Sequence, residues 1–92
     1  MTRMDRPPPP RRAVLGDDGR WHIDVRGLEP PQPLVTIVRV LYDRRDEPNA
    51  QVVAQLDRDP VMLYPELTER GWVAERLQGE AGEIRLLLRR AG

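Results

Sequence analysis

The chain of 92 residues has no cysteine, no lysine and no phenylalanine, and its aromatics are two Trp and two Tyr. Without cysteine there is no disulfide, no thiolate nucleophile and no Cys-ligated metal. No apolar run approaches the roughly 18 residues that a membrane span needs. The opening MTRMDRPPPPRRAVLG lacks the apolar core of a secretory signal, so a cytoplasmic protein with no membrane association is the expectation. Net charge is missing as well. Fifteen arginines balance fifteen Asp and Glu, which counts against nonspecific nucleic-acid binding, whose affinity comes from neutralising phosphates. Arginine without lysine is the usage that GC-rich codons produce.

What remains is 33% charged and 39% hydrophobic residues, the balance of one small soluble domain. A chain this short buries only roughly 60–65% of its unfolded surface, so the core is thin.

Residues 1–19 read as a Pro/Arg-rich flexible tail. The run Pro7 to Pro10 favours polyproline II and has no N–H to give a ladder. It suits either a solvated leader or a PxxP ligand, and composition favours the leader. GDDG at 16–19 is a turn that closes the tail. In WHIDV, Trp21, Ile23 and Val25 alternate with His22 and Asp24, the period of a half-buried strand. From Pro33 the period becomes helical, with Leu34, Ile37, Val38 and Leu41 on one stripe. Pro33 fits a first helical position, where its missing N–H has no partner to lose.

AQVVAQL at 50–56 returns to period two. Asp59 then suits an N-cap and Pro60 the first residue of a second helix, with Gly71 as its C′ residue. Pro65 falls inside that helix, which delays its regular part to about Tyr64. WVAERLQ and EIRLLLRR form a closing hairpin around GEAG. The order is β-α-β-α-β-β. A right-handed β-α-β crossover makes the first two strands parallel. The expected fold is an α+β two-layer sandwich, a mixed four-stranded sheet with two helices on one face.

The stretches IDVRGLEPPQPLVTIVRVL, LDRDPVMLYPELTERGW and GEIRLLLRR resemble an uncharacterised bacterial domain family with a TusA/SirA-like fold. Members are often fused to or encoded beside hemerythrin-like domains. The resemblance spans about residues 22 to 90 and makes residues 20–92 a single TusA-like domain. TusA-like sulfur carriers hold a persulfide on the cysteine of a Cys-Pro-x-Pro motif at the first helix. The matching stretch here is Pro30-Pro31-Gln32-Pro33: Pro31 and Pro33 match, and Pro30 stands at the cysteine position. A helix N-terminus lowers a thiol's pKa, which suits such a carrier. With no thiol, the resemblance implies the scaffold without sulfur-carrier activity.

Few residues invite chemistry. His22 is the only histidine, near Asp24 on the same strand face. One His and one Asp complete no metal shell, so no metal and no cofactor are expected. Arg26 and Glu29 before the first helix, and Asp57, Arg58 and Asp59 before the second, should gather beyond the carboxyl ends of the parallel strands, where ligands collect in α/β sheets. Tyr64 lies at the same corner. With two helix N-termini there, a selective anion site is one reading and local capping the other. The mixed polar face of the sheet, with Val53 and Leu87 at its centre, is an alternative docking surface.

The function read from these residues is a small non-catalytic binding or regulatory module. The resemblance implies a hemerythrin-like or other redox protein as its partner. The alternative is a small-ligand-binding or catalytic domain that uses Arg26, Glu29, Arg58, Asp59 and Tyr64. RNA binding, suggested by the topology, ranks third because the net charge is zero.

Overall fold

The alternating apolar residues of the chain pair into a sheet whose one face the two helices cover. The structure, a computed structural model, describes residues 11–91. Its elements are β1 (Val14–Leu15), β2 (Trp21–Asp24), α1 (Gln32–Asp43), β3 (Gln51–Leu56), α2 (Leu63–Glu69), β4 (Trp72–Leu77) and β5 (Ile84–Arg90). The sheet runs in the order β1-β2-β3-β5-β4. Only β2 and β3 are parallel, as their helical crossover requires, with Trp21 opposite Val52 and Ile23 opposite Ala54. β5 lies between β3 and β4 and is antiparallel to both.

One face of this sheet and one stripe of each helix make the core. Ile23, Val52, Leu86 and Leu88 from the sheet meet Ile37 and Leu41 of α1 and Leu63 and Leu67 of α2, all nearly inaccessible to solvent. Val40 is buried beside them, which moves the α1 stripe one step from the expected Leu34–Val38 edge. Both of those flanking residues are only half-buried.

The sheet has five strands where four were expected. Val14 and Leu15 pair antiparallel with His22 and Trp21, so GDDG is the hairpin turn between β1 and β2 rather than the end of a tail. Gly16 N–H donates to Arg20 O at 2.8 Å, and Gly19 takes φ +79°, which glycine adopts without steric cost. Two residues are too few to show a period in sequence. The expectations for Pro7 to Pro10 fall outside the described residues.

Two helix starts also differ in detail. α1 begins at Gln32, so Pro33 is its second residue. α2 begins at Leu63 after a tight turn in which Leu63 N–H donates to Pro60 O at 2.8 Å. Pro65 therefore sits in the first turn, where it has no intrahelical bond to break. Asp59 is not the N-cap. Met62 holds that position, with no side-chain cap.

Candidate functional site

The loops that leave β2 and β3 are neighbours because those strands are parallel. Val25 N–H donates to Gln55 O at 2.9 Å, and Gly27 N–H donates to the Asp57 carboxylate at 2.9 Å, which ties one loop to the other. Gly27 has φ +82°, and Leu28 N–H closes its turn on Val25 O. The chain then passes through Glu29 and a cis Pro30–Pro31 bond into α1.

Of the charged residues foreseen at this corner, Arg26, Asp57, Arg58 and Asp59 have local partners. Arg26 grips Asp24 through two nitrogens, at 2.9 and 2.8 Å, and these bonds hold the Asp24 carboxyl down at about 2. Asp57 serves Gly27, and Arg58 approaches it at 3.8 Å with its own side chain 69% exposed. Asp59 accepts the Tyr64 hydroxyl at 2.8 Å. Burial, and then that carboxylate, push the Tyr64 phenol up.

Between the two loops lies an apolar groove of about 340 Å³. All three motif prolines line it, with Val25, Leu34 and Leu56 from the β2–α1 and β3 segments and Val61 and Met62 from the approach to α2. Its charged lining residues are Asp57, Arg58 and Asp59, whereas Arg26, Glu29 and Tyr64 lie outside it. Val61 is 64% exposed and Met62 71%. Val61 and Met62 thus give the groove two adjacent exposed apolar side chains in its lining.

At the start of α1, two of the N–H donors that an anion would use are absent or taken. Pro33 has no N–H, and Gln32 N–H is already donated to Glu29 O at 2.8 Å. The proline cluster thus starts α1 and leaves apolar surface where the sequence suggested free N–H groups.

The other sheet face holds its polar side chains in pairs: Arg20 with Gln51, Glu83 with Gln55 and Arg85, and Glu75 with Arg89. Between them Val53 and Leu87 are only 4% and 5% exposed, so they offer little for docking. The bond from Gln55, then that from Glu80 N–H, lowers the Glu83 carboxyl. His22 turns to Asp18, 3.1 Å away, rather than to Asp24. Among the described residues, no group of three or more His, Asp or Glu is placed to hold a metal ion.

Sequence reasoning missed Val61 and Met62, although an apolar pair just ahead of a helix was the available signal. It also missed Arg90, which stacks over Trp72 and donates to Arg44 O and Arg45 O, 46 and 45 residues away. No local pattern marks that contact.

A family model described as Uncharacterized conserved protein (DUF2249) matches residues 22–90. No curated protein and no solved structure matches the chain.

Proposed function

The chain belongs to the family described as Uncharacterized conserved protein (DUF2249), and on that premise we propose that it is a small non-catalytic binding or regulatory module. Its groove between the β2–α1 and β3–α2 loops takes an apolar side chain of a protein partner. The observation that carries this reading is the lining: four prolines (Pro30, Pro31, Pro33 and Pro60), Val25, Leu34, Val61 and Met62 around about 340 Å³. Prolines give the groove stiff walls without donors, and an apolar anchor in such a pocket is how protein interfaces concentrate their affinity.

The finer parts of the proposal rest on the resemblance of the DVRGL–Pro-Pro-Gln-Pro stretch to TusA-like domains. They are a TusA-like scaffold without sulfur transfer, and a hemerythrin-like or other redox protein as partner. In that scaffold Pro30 takes the place of the sulfur-bearing cysteine, and it lines the groove. A docking role thus uses the surface from which a carrier would present its sulfur. The alternative, ligand chemistry at the charged corner, has less support, because Arg26, Asp57 and Asp59 are already engaged by Asp24, Gly27 and Tyr64.

The test is affinity capture with three baits: the native chain, Met62→Glu in the groove, and Glu47→Ala on the distal loop. A redox protein should be retained by the native and Glu47→Ala baits and lost from Met62→Glu, with the same ranking by calorimetry on the purified pair. Retention by Met62→Glu would place binding outside the groove. Recovery of a partner that is not a redox protein would reject the partner class.

A further inference from the structure

Along the flank of α1, away from the apolar groove, lies a second concavity of about 360 Å³ with different chemistry. It is lined by Arg11, Arg12 and Ala13 from the segment before β1 and by Thr36, Arg39, Val40, Asp43 and Arg44 from one face of α1. Four guanidinium groups and one carboxylate give it a charge of +3 in a chain whose net charge is zero. Among the described residues, none of these four arginines forms a salt bridge with a carboxylate, Asp43 included, whereas Arg26, Arg58, Arg70, Arg85 and Arg89 each do.

Two of the four are held in place by neutral partners. Arg11 donates through Nη1 to Asp24 O and Arg26 O, both at 2.9 Å. Arg44 lies over the Trp21 ring, 3.7 Å from its centre, and donates to Val40 O at 3.1 Å. Arg12 and Arg39 are exposed. The negative end of α1 accounts for arginines on its later turns. It does not account for Arg11 and Arg12, which come to the same place from more than twenty residues earlier in the chain.

We propose that Arg11, Arg12, Arg39 and Arg44, with the Thr36 hydroxyl, form a binding site for a small phosphate-bearing ligand with two or more negative charges. Guanidinium forks match phosphate oxygens bidentately, and two forks already fixed by the fold lose little freedom on binding. The concave shape and volume suit a small molecule rather than the long phosphate track of a polynucleotide. The site shares no lining residue with the apolar groove, so it stands or falls independently of the partner proposed above.

Calorimetry on the full chain at low ionic strength tests it, with pyrophosphate, inorganic phosphate and sulfate as probes. Pyrophosphate should bind more tightly than phosphate or sulfate. Arg12→Gln and Arg39→Gln should each weaken it about tenfold, the effect of losing one charge-assisted contact. Arg89→Gln, which removes a cation on the other sheet face and outside both grooves, should leave pyrophosphate binding unchanged. Both test residues are exposed and, among the described residues, lack a carboxylate partner, so thermal melting should confirm that the variants fold. The proposal fails if the native chain does not bind pyrophosphate, if sulfate binds as tightly, or if Arg89→Gln weakens binding as much as Arg39→Gln. Tighter Arg39-dependent binding of a single-stranded RNA than of pyrophosphate would overturn the small-molecule class.

Discussion

Helix α1 borders two grooves of similar size and opposite character. The one at its start is apolar and lined by prolines; the one along its later turns is lined by arginines. The contrast follows the direction of the helix. At the N-terminus, proline removes the donors that would otherwise draw an anion or water. Toward the C-terminus the exposed carbonyls favour cations, and Arg44 and Arg90 both donate to carbonyls there. Whole-chain neutrality conceals this separation, because fifteen charges of each sign add to zero wherever they sit.

The largest expected effect tests whether both grooves share one rigid support. Ile37 is fully buried beneath α1, and Ile37→Ala should cost about 2–5 kcal/mol in urea unfolding. A loss under about 1 kcal/mol would mean that α1 is not fixed by the core, and the comparison would lose its frame.

Arg90→Ala should act on one end only. It removes the donors to Arg44 O and Arg45 O and the stack over Trp72, a loss of about 1–2 kcal/mol. Amide chemical shifts should move around Arg44 and stay put around Met62. Equal movement at both ends would show that the grooves are coupled.

A smaller effect concerns acid. The Asp24 carboxyl is held at about 2, below an unfolded value of about 3.9. Its pairing with Arg26 therefore stabilises the fold fully above about pH 4, and that contribution is lost as pH falls toward 2. Asp24→Asn should be less stable at neutral pH and lose less between pH 4 and 2, read from urea midpoints across that range. Parallel acid limbs for the two chains would exclude the Arg26 pair as the cause. Asp24 O also receives Arg11, but that backbone contact should survive the substitution, which leaves the arginine groove intact.

The smallest effect is at the apolar groove. Arg58→Ala should change stability by only a few tenths of a kcal/mol, since its pair with Asp57 is long and exposed. A loss above about 1 kcal/mol in thermal or urea unfolding would mean that Arg58 holds the loop and is not a free lining residue.

Sequence periodicity alone determined most of the fold: the strand at Trp21, the parallel β-α-β unit, the helical stripe through Ile37 and Leu41, and the closing hairpin. These elements are legible because apolar residues recur at the period of the element that buries them. The proline-rich opening of α1 was equally plain, since proline fixes φ and removes a donor locally. Tertiary structure decided what that opening faces. Pro30 to Pro33 meet Val61 and Met62 only because β2 and β3 pair side by side. It also decided that two residues, Val14 and Leu15, form a fifth strand, and that Arg11 and Arg12 come to lie along Thr36 and Arg39. Contacts between residues twenty or more apart leave no period in the chain, because they arise from the sheet and helices packing together rather than from any one element.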